Sequence, residues 1–506
     1  MPQSQASCVG RWAHWATRAR KVGLDFSREC TSLSAYDVFE PFRTIVESTR
    51  HRLGVDRAVA FTVLARVWAS GSGLITIVLI ARFLSPAQQG YYYTFSSLIA
   101  LQMVFELGFS QVVMQLASHE HAHLSIRKDG TITGDNAAQS RLASILQIST
   151  RWYGWGALLL AVALLPSGLY FFSTHQQLGE FVSWRLPWIA TAMVTVLAFQ
   201  IDPLYSFLEG CGFVAEVAHV RWMQAVAGSL FGWTALGLQR GLYAPAAVIA
   251  GQVLVAAIWL TGKRHFLCAL MTWDTVLGTV SWRHEIWPFQ WRIAVSWVSG
   301  YFVYQTFNPF LFAYRGPVEA GRMGMSLSFA NALMFAAMAW ISTKAAPLGT
   351  LIAQKRYVQL DSVFFRALKQ SLFVAGLGAT LIWLGTTYLH FAHSRYAYKL
   401  LSPLPFALLL VAAIFNHVFA AIATYLRAHK QEKLFYLSLA IAVAVLFSNY
   451  YFAKASGAVG MVAGYLVIIG VIGMGCGALL FSKYRREWHS AEPIEANWIS
   501  SEVAGN

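Results

Sequence analysis

Charge is what this chain has least of. Only 12% of its 506 residues are Asp, Glu, Lys or Arg, where a soluble protein carries about 25%. Hydrophobic side chains make up 57%, which excludes an ordinary soluble domain. Acids are scarcer than bases, 23 against 38, for a formal net charge of +15. In a soluble protein that excess would suggest nucleic acid. In a chain this apolar it belongs to loops on the inner side of a membrane, so no nucleic-acid partner is expected. Cysteine is sparse and poorly spaced for chemistry. Cys8, Cys30, Cys211, Cys268 and Cys476 form no metal or redox pair and read as free thiols. No apolar run precedes Phe61, so residues 1–60 read as a polar, basic extension without a signal-peptide core.

Long apolar runs are what the chain does have. Phe61–Leu84 and Tyr91–Ala117 are each long enough to cross a bilayer, which takes about 20 helical residues. The segment Ser85-Pro-Ala-Gln-Gln-Gly90 joins them as the expected turn, with Pro86 stopping the first helix and Gly90 freeing the return. Hydropathy gives spans over 61–84, 91–117, 150–172, 186–208, 218–239, 242–261, 289–313, 322–345, 367–391, 404–426, 433–453 and 457–482. The fold class expected is an all-α polytopic membrane protein of about 12 transmembrane helices in two pseudo-symmetric six-helix bundles. The bundles would cover 61–261 and 289–482, with a linker over 262–288 and a tail over 483–506.

Lys and Arg concentrate on one side of this arrangement. They fall in the first 60 residues, in the loops holding Arg127, Lys128, Lys263, Arg264, Lys355, Arg356 and Lys430, and in the tail with Lys483, Arg485 and Arg486. Positive-inside bias then puts both termini in the cytoplasm. Glu40–Arg57 reads either as a basic amphipathic helix on the inner face or as a loose extension.

The halves echo each other. Arg66, Ser70 and Gly73 open span 1, and Arg292, Ser296 and Ser299 open span 7 with the same spacing, which puts each trio on one helix face. Pro86-x-x-x-Gly90 closes span 1 and Pro317-x-x-x-Gly321 closes span 7. Ser206 and Glu209 at the end of span 4 are echoed by Thr424 and Arg427 at the end of span 10. Two parallel repeats facing each other across a midplane cavity is transporter architecture. Asn308-Pro309 should bend span 7.

Polar residues inside these spans are the candidate site. Gln102, Glu106 and Ser110 recur at i+4 as one stripe on span 2. Glu106 reads as a cation or proton site, as a wall for sugar, or as a buried interhelical acid. Asp202 precedes Pro203 in span 4 and shares a face with Ser206 and Glu209; it is the second candidate for cation coupling. Arg66 and Arg292 either grip a phosphate at the cytoplasmic mouth or snorkel to lipid phosphates. Asn416, Thr424 and Arg427 share a face of span 10 beside His417, and Lys344 ends span 8; these line the cavity or serve as interhelical glue and inner anchors. His119, His121 and His123 with Glu120 have the look of a metal cluster but enter a loop, and no metal is expected. His51 and Asp56 match a lipid-acyltransferase pattern by coincidence. Gly457, Gly460 and Gly464 favour close helix packing in span 12.

These residues carry a resemblance. Arg82–Gly90, Phe105-Glu-Leu-Gly-Phe109, Ser118-His-Glu120 and Tyr425-Leu-Arg-Ala-His-Lys-Gln-Glu432 resemble the O-antigen flippase branch of the multidrug/oligosaccharidyl-lipid/polysaccharide exporter superfamily. The resemblance implies two six-helix lobes in the bacterial inner membrane. It implies flipping of an undecaprenyl-diphosphate-linked oligosaccharide by alternating access, without a cofactor and with coupling to H+ or Na+. Expected partners are that lipid-linked sugar, membrane lipids, a polysaccharide polymerase and a chain-length regulator. A multidrug–cation antiporter and a peptidoglycan-precursor lipid flippase share the architecture. A polysaccharide polymerase, ligase or acyltransferase is the remote alternative, since no outer connection is long enough for a catalytic loop and no DxD motif is present.

Overall fold

The computed structural model describes residues 57–127, 131–175, 181–276, 278–429 and 433–490. The expected basic helix over 40–57 lies outside the described residues but for Arg57, as do His51 and Asp56. Among the described residues, those up to Val63 belong to one unit and those from Leu64 onward to another.

The described residues are helical except for loops and one two-stranded antiparallel hairpin, Leu124–Ile126 with Ile132–Gly134, in which Leu124 lies opposite Gly134. Among the described residues the main helices group into twelve segments in the expected order. Span 1 is Arg57–Phe83, and span 2 is the series Pro86–Ile99, Gln102–Glu106 and Phe109–His121. Spans 3 to 6 are Asn136–Thr174, Arg185–Gly210, Val214–Gly237 and Ala244–Met271. Span 7 is Trp287–Gln305 with Phe307–Arg315, and span 8 is Pro317–Ser342. Spans 9 to 11 are Tyr357–Phe391, Pro403–Ala428 and Phe435–Ala455. Span 12 is Gly457–Val467, a π-helical stretch Ile468–Cys476, and Gly477–Ser490. Among the described residues, nine helices are long and apolar enough to cross a membrane, ten when the bent pair in span 2 counts as one. Spans 5 and 7 have the length but a more polar make-up. The chain is an all-α polytopic membrane protein.

Several helices differ from the hydropathy reading. Spans 3 and 9 begin well before their apolar runs, at Asn136 and Tyr357. At 39 residues span 3 is about 58 Å long, more than a hydrocarbon core of about 30 Å needs. Polar first turns continue a helix wherever neighbouring protein supplies packing, which hydropathy does not register.

The expected turn over Ser85–Gly90 is a helix start instead. Ser85 caps the helix, its hydroxyl accepting from the Gln88 N–H while the Gln88 side chain accepts from the Ser85 N–H. Pro86 occupies the first helical position, where its missing donor costs nothing. Gly90 is therefore helical, and its use is close approach. A Cβ there would lie 1.9 Å from the carbonyl oxygen of Pro317, and one on Gly321 would lie 2.9 Å from the Gly90 nitrogen. The two Pro-x-x-x-Gly motifs, expected as turns, are the contact through which spans 2 and 8 cross.

Span 7 breaks where expected. The first helix ends at Gln305, and Asn308 and Pro309 lie in the first turn of the second. Span 2 has a break that sequence reading missed. Leu107 and Gly108 are both left-handed, with φ of 53° and 66°. Gly108 meets two requirements at once, since a Cβ would also stand 2.3 Å from Ile293 of span 7. The proline in span 4 does not break its helix, which runs unbroken past Pro203 to Gly210. In span 12 Gly460 and Gly464 lie against Phe452 of span 11, the close packing their spacing forecasts.

An aromatic knot joins the first bundle (spans 1–6) to the second (spans 7–12). Tyr91 meets Phe312 at 4.8 Å between ring centroids, Phe172 meets Phe312 at 5.2 Å, and Phe95 meets Trp188 at 5.2 Å. Such pairs add about 0.5–1.5 kcal/mol each beyond burial. The connection from span 6 to span 7 is strapped along span 3. Gln147 donates to the carbonyls of Met271 and Trp273, and Ser140 to those of Asp274 and Gly278. Arg141 bridges Glu120 at 2.8 Å and Glu285 at 2.6 Å. Trp282 stacks on Trp152 at 4.6 Å.

Candidate functional site

A cavity of about 480 Å³ lies between spans 1, 2, 5, 6 and 8. Its lining is neutral: Thr76, Ser229, Gln252 and Asn331 among polar groups, and Tyr92, Tyr93 and Trp233 among rings. Trp233 donates to Thr76 at 2.9 Å, and Trp68 donates to the Ala225 carbonyl at 3.2 Å, which ties span 1 to span 5. One end is plugged by apolar side chains, including Ile80, Leu84, Tyr93, Leu236, Met325 and Leu400.

Span 5 presents Ala225, Ser229, Gly232 and Leu236 to the cavity. Four residues before Ala225, on the same helix face, stands Arg221. It stands beside an acidic nest formed by spans 2 and 4. Arg221 pairs with Glu209 at 3.5 Å, and its guanidinium lies 5.5 Å from the ring centre of Tyr205. Its charge also reaches Asp202 and Glu106. Glu106 is 8% exposed and accepts a hydrogen bond from Ser110. That i+4 contact survives the break at Leu107–Gly108. Asp202 is exposed on its helix, within reach of the Arg221 charge. Two tyrosine hydroxyls border the acids: Tyr153, 1% exposed, within hydrogen-bonding reach of Ser110 and Glu106, and Tyr205, 3% exposed and buried without a hydrogen-bond partner. Tyr153 lies beside Glu106 and Ser110, and Tyr205 beside Asp202. An unpaired buried hydroxyl costs about 1–3 kcal/mol, so the Tyr205 hydroxyl has unmet capacity for a small polar partner.

The interior of the second bundle is polar but neutral. Asn449 donates to Thr306 at 2.8 Å, and Tyr304 donates to Asn416 at 3.1 Å. Ser371 and His417 form a buried pair between spans 9 and 10. Asn308 donates to Ser97 of span 2 at 3.1 Å, across the seam. Charged side chains stand toward the ends of this bundle: Arg485 binds Asp361 through two nitrogens at 2.8 and 2.6 Å, and Arg315 and Arg322 donate to backbone carbonyls of Ala453 and Tyr398 at 3.0 and 2.9 Å.

The structure thus divides the residues that sequence reading had grouped. Glu106 and Asp202 come together. Arg66 and Arg292, equivalent in the repeat, differ in use. Arg66 donates to Ser342 at the end of span 8 at 2.8 Å, joining spans 1 and 8, whereas Arg292 lies over the ring of its neighbour Trp291. Lys344 is exposed two residues beyond Ser342, at the same mouth. Gln102 opens the short helix before Glu106 and is half-buried. Arg427 stands in the last turn of span 10. His119-Glu120-His121-Ala122-His123 has the spelling of a zinc motif. Its helix ends at His121 and Glu120 is held by Arg141. Among the described residues no three potential ligands converge on a metal. Sequence reading missed Arg221, Tyr153 and Tyr205. Arg221 carried a signal, a charge four residues from the small-residue face of span 5; the tyrosines carried none.

No protein-family model matches the chain, and no curated protein matches it in sequence. Solved structures do match. The MATE multidrug transporter DinF-BH, solved as a complex, superposes with a TM-score of 0.55 at 14% identity, over 86% of this chain and 97% of that one. A MATE family multidrug resistance transporter of the MOP superfamily, in an inward-facing conformation, gives 0.53 at 16% identity, over 81% and 99%. The lipid II flippase MurJ, in an inward closed conformation, gives 0.51 at 14% identity, over 88% and 96%. The chain has the fold these transporters and flippases share.

Proposed function

We propose that the chain is a flippase that carries an undecaprenyl-diphosphate-linked oligosaccharide from the inner to the outer leaflet of a bacterial cytoplasmic membrane by alternating access. The observation that carries this reading is the lining of the 480 Å³ cavity, in which, among the described residues, amides, hydroxyls and three aromatic rings occur and no carboxylate does. Sugars present hydroxyls at their edges and apolar faces to stack, and both find partners there. Arg66, Lys344 and Arg221 are the groups for the diphosphate, which a planar guanidinium binds through two bonds. Arg292 and Arg427 serve the same entry side, with Gln102 and Asn416 toward the sugar. Glu106 and Asp202, with Tyr153 and Tyr205 beside them, take the coupling H+ or Na+. A polymerase and a chain-length regulator act on the product, and both termini are cytoplasmic.

The carboxylates of the acidic nest favour a second reading, a multidrug–cation antiporter. A peptidoglycan-precursor flippase is the third. One experiment separates them. Purified protein in liposomes is given a lipid-linked oligosaccharide, a lipid-linked disaccharide-peptide or a fluorescent organic cation. A lectin outside reports the first. Capture of the oligosaccharide by the lectin is the expected result; movement of the organic cation alone overturns the proposal.

A further inference from the structure

At the plugged end of the cavity, the chain between spans 9 and 10 crosses to the first bundle. Ala397–Lys399 forms a short 3-10 turn there. Within its own bundle the crossing is fastened to span 8 twice: Arg322 donates to the Tyr398 carbonyl at 2.9 Å, and the Leu401 N–H donates to Ser326 at 3.1 Å. Toward the other bundle two side chains make the polar contacts. The Lys399 ammonium donates to the carbonyls of Ala81, at 2.6 Å, and Leu84. Gln89 of span 2 donates to the carbonyls of Lys399 at 2.9 Å and Gly321 at 2.7 Å.

The chemistry of the Lys399 contact is specific. Ala81 lies in the last turn of span 1 and Leu84 just past its end, where carbonyls have no partner in their own helix and the helix dipole is negative. A cation placed there caps the helix. Both acceptors are backbone oxygens, so the ammonium is held by dipoles and not by a carboxylate. Burial, with Arg395 beside it, pushes Lys399 below the ordinary lysine range. A carboxylate partner would hold it as a permanent anchor; a dipole cap can be withdrawn without stranding an opposite charge.

We propose that Lys399 is the releasable bolt of this end of the transporter: its ammonium, seated on the end of span 1, locks the second bundle to the first, and withdrawing it opens the cavity on that side. Gln89 is the second, neutral catch. The proposal rests on the alternating-access reading but not on the identity of the substrate.

The test uses spin labels at Leu238→Cys, beyond span 5, and Phe391→Cys, ending span 9, in otherwise cysteine-free full-length protein in lipid nanodiscs. Both sites are exposed, at 75% and 84%. Lys399→Met removes two charge-assisted hydrogen bonds, and the expected result is about a tenfold or larger rise in the ratio of long to short inter-label distances. Lys399→Arg, which keeps the charge and the donors, is expected to hold the short distance. Gln89→Leu provides an independent variant and is expected to give a smaller rise. Should Lys399→Met not accumulate, Lys399→Gln carries the same expectation. A distance distribution unchanged from the parent in Lys399→Met or Lys399→Gln overturns the bolt. Failure to move a lipid-linked sugar, with distances responding as expected, overturns only the substrate assignment.

Discussion

The two bundles share a frame and divide its chemistry. The first groups Glu106, Asp202 and Glu209 around Arg221, with the Tyr153 and Tyr205 hydroxyls beside them. The corresponding interior of the second holds Asn449, Thr306, Asn416, Tyr304, Ser371 and His417, and its charged pair, Asp361 with Arg485, stands at the base. A repeat conserves helix order and crossing because packing depends on the pattern of small and apolar residues. The polar residues within it are free to diverge. Carboxylates therefore gather in the interior of one bundle and neutral hydrogen bonding in that of the other.

The widest gap between the halves is expected at their matched glycines. Gly90→Ala drives a Cβ to within 1.9 Å of the Pro317 backbone, while Gly321→Ala meets its nearest atom at 2.9 Å. Overpacking of this kind costs about 1–3 kcal/mol, and Gly90→Ala should sit at the top of that range and Gly321→Ala at the bottom. The spin-label pair reads the difference as the fraction of molecules open at the plugged end. Equal responses would mean the seam yields evenly from both sides.

Next in size is the acid nest. Glu106→Gln is expected to lower ion-dependent transport in liposomes by about tenfold, a coupling of about 1.4 kcal/mol. Asn449→Ala, in the neutral interior, should leave the ion dependence unchanged. If both variants lose it alike, ion chemistry is shared between the bundles.

A smaller split is expected at the entry side. Arg66→Ala loses the bond to Ser342 as well as a cation, whereas Arg292→Ala loses a cation resting on Trp291. Export of surface polysaccharide should fall severalfold in the first and about twofold in the second, in line with the modest worth of exposed charges. Normal export in both, with protein present, would remove the phosphate role from this mouth.

The least effect concerns the strap that links the bundles. Arg141→Ala should cost about 1 kcal/mol of thermal stability, as expected for a partly exposed pair. Burial works to raise the Glu285 carboxyl, but the Ser281 N–H and Arg141 outweigh it and hold it below its ordinary value. A carboxyl depressed in the folded chain stabilises fully above its unfolded pKa, and that stability is lost as pH falls through the depressed value. The melting temperature should therefore drop on acidification in the parent more than in Glu285→Gln.

Much of the frame was legible in the residues. Run lengths placed the spans, and Asn308-Pro309 located the break of span 7 because proline cannot donate in a helix interior. Glu106 and Asp202 were found because a carboxylate in an apolar run needs a reason. Other features were not legible. Ser85–Gly90 read as a turn because proline and glycine punctuate chains; only the contact with Pro317 explains a glycine inside that helix. At the break at Leu107–Gly108, the close approach of Ile293 of span 7, nearly two hundred positions away, leaves no room for a side chain on Gly108. Tyr153 and Lys399 look ordinary in sequence, since what matters about them is what stands opposite.

The sequence by itself determined the medium, the helices and their order, because hydrophobicity and periodicity are local sums over neighbouring residues. Only the tertiary structure decided which polar groups face one another: that Arg221 joins the acids, that Arg66 and Arg292 part company, and that Lys399 rests on the end of span 1. Those pairings depend on distances between helices far apart in the chain, and such distances are set by the packing of side chains across the seam.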